Sequence, residues 1–229
     1  MSSARRFGAL VLVAGLLVTG CSSNEEPSPA DTAVEEQSPG SAESAIRGVF
    51  DDYRAALLAG DGAAAHGFLS QASIDFYVEM RDLALTAPRS ELEARSLVER
   101  LHVLTLRYVL APQRLESMEP VDVIAYAVES GLIGQGTLQQ QELDEVTVDG
   151  DEAEATIVSE GSGTEFTYGF VEDPGGWKMD LLGILDVANE TFRGLIEDES
   201  ISETTFIFDT IEVITGQRPT KVLWDPPKR

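Results

Sequence analysis

The sequence predicts an α+β fold in three stretches: helices, then an antiparallel sheet, then more helices. Three observations predict it. Apolar residues recur at three- and four-residue steps from Ile46 to Ser130, the spacing of one helix face. They recur at two-residue steps from Val146 to Leu181, the spacing of one strand face. Helical spacing then resumes after Leu185.

The first helix carries Ile46, Val49, Phe50, Tyr53 and Leu57 on one face, with Ser44 as its cap and Gly60-Asp61-Gly62 as its stop. A short helix is expected over 63–69. Ser70 or Ser73 opens the next, which carries Ile74, Tyr77, Val78, Met80 and Leu83 and ends before Pro88. Ser90 and Glu93 have the spacing of a capping box, and the stripe Leu97, Val98, Leu101, Leu104 and Tyr108 follows. A last helix spans about 119–130, with Pro120 in its first turn and Gly131 after its stop. The sheet is expected over about 137–183. Asp149-Gly150 signals a hairpin, and Gly161-Ser162-Gly163 and Pro174-Gly175-Gly176 supply the next two turns. Helices are expected again at about 185–198 and 203–215, the second with enough Ile, Val and Phe to leave a strand open. Trp224 before Pro226 and Pro227 suggests an extended tail docked by its indole.

Composition narrows the function classes. The 229 residues hold 40 acids against 16 bases, a net charge of -24. Nucleic acid is excluded as a partner, because its affinity rests on Lys and Arg neutralising phosphates. One cysteine excludes an intrachain disulfide framework and a Cys-rich zinc site, and two histidines leave little for a His-based one. No cofactor is expected. The acidity is concentrated: residues 141–213 hold 20 acids and two bases, Lys178 and Arg193. Three readings of that strip stand side by side: repulsion that keeps the protein soluble at a membrane surface, a cationic partner, and adaptation to salt.

The amino terminus reads as an address. Arg5 and Arg6 precede the apolar run Gly8 to Val18, which is shorter than the roughly 20 residues a membrane-spanning helix needs. The run closes on Val18-Thr19-Gly20-Cys21, which resembles the lipobox of bacterial lipoproteins. The resemblance implies a signal peptide over 1–20, cleavage after Gly20 and a lipidated Cys21, with the membrane as partner through that lipid. Ser22 next to it implies an outer-membrane destination in a diderm cell; in a monoderm the anchor sits on the outer face of the cell membrane. Either way the protein is expected in the cell envelope, outside the cytoplasm. Residues 21–43, rich in Ser, Pro, Glu, Ala and Gly with six acids and no base, read as a solvated tether. Residues 44–229 are then the folded domain.

The order Tyr53 to Leu57, Gly60-Asp61, then Val146 to Asp151, then Trp177 to Leu181 resembles the nuclear transport factor 2-like superfamily. That likeness, over roughly 44–183, implies a curved antiparallel sheet wrapped around N-terminal helices as a cone. The helices at 90–130 would be an insertion and those from 185 to 229 an extension.

Catalytic signals are weak. Within the cone, Phe166, Tyr168, Phe170, Trp177 and Met179 are the expected wall of a core or of an apolar pocket, and only Tyr168 among them carries a hydroxyl. His66 with Asp75 completes the polar candidates, since an Asp–His pair could be drawn from them. No nucleophile elbow, phosphate loop or EF-hand is present: after Asp149 the fifth and sixth positions are Ala153 and Glu154, where calcium needs an oxygen ligand and glycine. The expected function is a lipid-anchored, non-catalytic binding or interaction domain, with an envelope protein or an apolar small molecule as partner. The alternative is a small-molecule carrier or an isomerase- or cyclase-like enzyme using the cone pocket.

Overall fold

The computed structural model describes residues 39–129, 139–159 and 161–228. The signal, Cys21, most of the tether, Gly131 and the first residues expected in the sheet lie outside them. Helix α1 runs Pro39–Ala59, so it starts five residues before the expected cap at Ser44. Residues 39–43 therefore belong to the helix and not to the tether. Proline lacks the N–H that a first turn leaves unused, and Ala42 already sits in the core below Ile46 and Phe50.

Gly60, at φ 68°, ends α1, and the Asp61 carboxylate accepts the Ala64 N–H at 2.9 Å to open α2, Gly62–Gly67. Ser70 caps α3, Gln71–Thr86. The short α4, Arg89–Glu93, follows Pro88 without a side-chain cap. The capping box belongs instead to Ser96 and Glu99, heading α5, Leu97–Val109. Two Ser-x-x-Glu matches occur six positions apart. The second opens directly onto the apolar stripe, so packing fixes the helix start there. The short α6, Pro112–Glu116, leads to α7, Pro120–Glu129.

Four strands follow: β1 Gln141–Asp149, β2 Glu152–Ser159, β3 Ser162–Asp173 and β4 Gly176–Asp180. They form an antiparallel meander in sequence order. The chain between α2 and α3 lies along β4: Met179 N–H donates to the Phe68 carbonyl and Ser70 N–H to the Met179 carbonyl, both at 2.8 Å. Two helices finish the unit, α8 Leu182–Asp198 and α9 Glu203–Thr215, so the Ile- and Val-rich segment is helical. The described residues belong to one unit, 37–229.

The inner sheet face is apolar, as alternation requires. Ala153, Ala155, Ile157, Tyr168, Phe170, Trp177 and Met179 are buried against the helices, while Glu152 and Glu154 face out. Phe166 departs from this pattern at 39% exposed. Pairing runs Thr156 to Thr167 and then Val158 to Gly163, so three residues of β3 oppose Ile157 alone. Phe166 sits on that bulge, which breaks the alternation that would have turned it inward. A second bulge lies between Leu143 and Val146 on β1. Carbonyls at this end of β1 are taken by α1: Arg47 donates to the Leu143 and Asp144 carbonyls at the bulge, at 2.7 and 2.5 Å, and Arg54 to the Gln141 carbonyl at 2.5 Å.

The tail ends in a 3-10 turn, Lys221–Trp224, with the Trp224 indole buried as expected. Arg89 stacks over that indole at 5.3 Å, and Arg107 donates to the Trp224 carbonyl at 2.9 Å. No helix among the described residues is long and apolar enough to cross a membrane.

Candidate functional site

The polar residues nominated from sequence are not assembled into a catalytic pair. His66, in the last turn of α2, is partly buried, and Asp75 is exposed on α3, where it accepts from Gln71 at 2.8 Å. No ion pair or hydrogen bond joins them among the described residues. Tyr168 is buried on β3, donates its hydroxyl to Gln141 Oε1 at 2.9 Å and packs on Phe50 with ring centroids 5.6 Å apart. Phe170, Trp177 and Met179 are buried with it as core.

Tyr168 belongs to a cluster of phenols in the interior. Burial pushes Tyr168 and Tyr77 each up to about 12. Tyr53 is pushed above its ordinary value by burial first and by the Tyr77 and Tyr168 phenols second. All three stay protonated at neutral pH, so they are hydrogen-bond donors and not bases. The tyrosines come from α1, α3 and β3, which is why helical or strand spacing alone does not group them.

A cavity of about 310 Å³ lies among the helices and away from the sheet. Leu101, His102 and Thr105 of α5 line it, with Tyr77 of α3, Ala127 of α7, Phe192 of α8 and Ile214 of α9. Its volume is at the lower end of small-molecule sites, and its walls have their usual character, mostly apolar with a few polar groups. No carboxylate, Lys or Arg lines it among the described residues. On α5 the spacing Val98, Leu101, His102, Thr105, Leu106 puts all five on the face that meets the cavity.

His102 is held firmly. Its Nδ1 lies 2.9 Å from the Val98 carbonyl, and a carbonyl only accepts, so Nδ1 carries the proton of the neutral ring. Phe76 and Tyr77 pack edge-on against the imidazole at 5.6 and 5.8 Å. Burial lowers its pKa, and the opposing influences of the Val98 carbonyl and the Glu99 carboxylate are smaller. The ring is therefore neutral at pH 7, with Nε2 as a free acceptor. In sequence His102 simply follows Leu101 of the apolar stripe. The signal that could have found the site was a His and a Thr three residues apart on an otherwise apolar helix face.

Two other concavities lie on the surface. One of about 430 Å³ crosses the outer sheet face and is lined by Asp149, Glu152, Glu154 and Asp180 among others. Among the described residues no group of His, Cys, Asp or Glu is arranged to hold a metal ion. The other, of about 240 Å³, lies between α1 and β1 beside Arg47 and Arg54, whose guanidinium groups are already engaged.

No family model matches this chain, and no curated protein and no solved structure is significantly similar to it. The chemistry of the site therefore rests on its own residues.

Proposed function

We propose that the protein is a lipid-anchored envelope lipoprotein whose folded domain binds a small, mostly apolar molecule without transforming it. The observation that carries the binding role is the cavity among α3, α5, α7, α8 and α9, apolar in its walls and free of charged groups among the described residues. Three features favour binding over catalysis. The phenols are protonated, Tyr168 is engaged by Gln141, and His66 is not joined to Asp75. The order of helices, meander and inward apolar face supports the nuclear transport factor 2-like cone as the fold, with α8 and α9 as the extension that helps to wall the cavity.

The anchor rests on Val18-Thr19-Gly20-Cys21. Cys21→Ser is expected to abolish incorporation of labelled fatty acid and to move the protein from the membrane pellet to the soluble fraction. Equal labelling and sedimentation of the variant would overturn the anchor. Binding is tested with the neutral fluorophore N-phenyl-1-naphthylamine. Wild-type protein is expected to enhance its emission saturably. Ala188→Trp, which fills the cavity from α8, is expected to weaken that binding at least tenfold with little change in circular dichroism. Absence of saturable enhancement by the wild type would sink the binding role.

A further inference from the structure

The cavity wall is apolar except for Tyr77, His102, Thr105 and Thr210, and the Thr210 hydroxyl is already engaged by the Phe206 carbonyl. Thr105 is 6% exposed and Tyr77 is 7% exposed, and both line the cavity. Neither hydroxyl has a hydrogen-bond partner among the described residues. Thr105 is unusual in this respect. Thr86, Thr191, Thr210 and Thr215 each donate to the carbonyl four residues back, the ordinary resting place of a helical threonine hydroxyl. His102 stands three residues before Thr105 on the same face and against Tyr77. Its Nδ1 is engaged by Val98, and its Nε2 has no partner among the described residues.

This grouping offers one acceptor, His102 Nε2, with the Thr105 hydroxyl one turn further along the same helix face and the Tyr77 ring packed edge-on against the imidazole. A ligand that fills the cavity takes these groups out of water, and leaving one of them unpaired would then cost free energy. A ligand hydroxyl pairs both kinds at once, donating to Nε2 and accepting from Thr105. A charged group finds nothing to neutralise it, since neither Lys, Arg, Asp nor Glu lines the cavity among the described residues.

We propose that the cavity selects an uncharged alcohol or phenol with an apolar body, held by its hydroxyl between His102 and Thr105. This rests on the binding role above and names its ligand class.

The test uses three probes that share one apolar body: naphthalene, 1-naphthol and 1-naphthoate. Each competes with N-phenyl-1-naphthylamine for the wild-type protein at pH 7. Transfer from water alone ranks naphthalene above 1-naphthol, because the hydroxyl favours water. The expected order is reversed: 1-naphthol competes at roughly tenfold lower concentration than naphthalene, as one or two buried hydrogen bonds allow, and 1-naphthoate is weakest. Thr105→Val keeps the shape and removes the hydroxyl, so the advantage of 1-naphthol is expected to shrink severalfold. His102→Phe is expected to remove it. If His102→Phe does not fold, Thr105→Val carries the comparison. Equal competition by 1-naphthol and naphthalene, strongest competition by 1-naphthoate, or an advantage unchanged in the variants would each overturn the ligand class while leaving the cavity a binding site. Failure of N-phenyl-1-naphthylamine to bind at all would instead remove the binding role beneath it.

Discussion

Replacement of Gly62 by alanine is expected to destabilise the fold by about 3 kcal/mol or more. In an ordinary helix the same change stabilises by roughly 0.5–1 kcal/mol, because alanine loses less backbone freedom than glycine. At Gly62 a Cβ would lie 2.1 Å from Ala125 Cα and 2.8 Å from the Ala125 Cβ and carbonyl oxygen. The obstacle is backbone, so α2 and α7 would have to separate. Their separation would also disturb Ala65 and Val123, both in the core. Thermal unfolding should show a fall in Tm of roughly 6–12 °C, from about 2–4 °C per kcal/mol for a domain of this size. Gly48 is the control. It lies inside α1 with nothing within 4 Å of the added carbon, so Gly48→Ala should raise Tm slightly. Ala125→Gly should rescue Gly62→Ala only in small part, since the closest atom is the Cα that glycine retains. Full rescue, or a Gly62→Ala protein as stable as wild type, would disprove the close approach of the two helices.

Arg107→Met should cost about 3 kcal/mol or more, through carbonyls left without a donor. The guanidinium donates to Leu83, Ala84 and Ala87 at the end of α3, at 3.0, 2.8 and 2.6 Å, and to Trp224 in the tail at 2.9 Å. Burial lowers its pKa, and Asp225 partly opposes this. An arginine nonetheless keeps its charge in a protein, and hydrogen bonds to a charged donor are stronger than neutral ones. One side chain thus closes α3 and holds the tail onto α5. Methionine keeps much of the apolar stem and removes every donor. Two readouts are expected together: a lower urea midpoint, and faster tryptic cleavage at Lys221 under native conditions as the tail lifts. Arg107→Lys should recover only part of either, because a single ammonium cannot span acceptors on two elements. A lower midpoint with unchanged cleavage at Lys221 would show that Arg107 does not hold the tail.

The same contrast between local pattern and tertiary contact runs through the site. The apolar steps around Tyr77 and Leu101 were enough to set both helices, because periodicity is a property of neighbouring residues. They did not show that α3 and α5 bring Tyr77 and His102 to 5.8 Å, or that α8 and α9 complete the wall. Cavity polarity depends on which residues meet across elements. Sequence spacing left the sheet face around Tyr168 as either core or pocket wall, and the structure makes it core. Phe166 marks a second limit. Its alternation with Tyr168 and Phe170 is regular in the sequence, yet the extra residues opposite Ile157 bring it to the surface. A bulge is decided by how two strands align, which neither strand encodes alone.

The sequence by itself determined the helix–sheet–helix order, the three turns of the meander, the acidic outer face and the docked Trp224. Each depends on residues close together in the chain: a period, a turn dipeptide, a run of like charge, an indole just before a Pro-Pro pair. Only the tertiary structure decided which Ser-x-x-Glu became the capping box, why Gly62 has no room for a side chain, which carbonyls Arg107 serves, and where the chain leaves a cavity. Those features join residues far apart in sequence, and their energies arise from close packing and from pairing polar groups that would otherwise be buried alone.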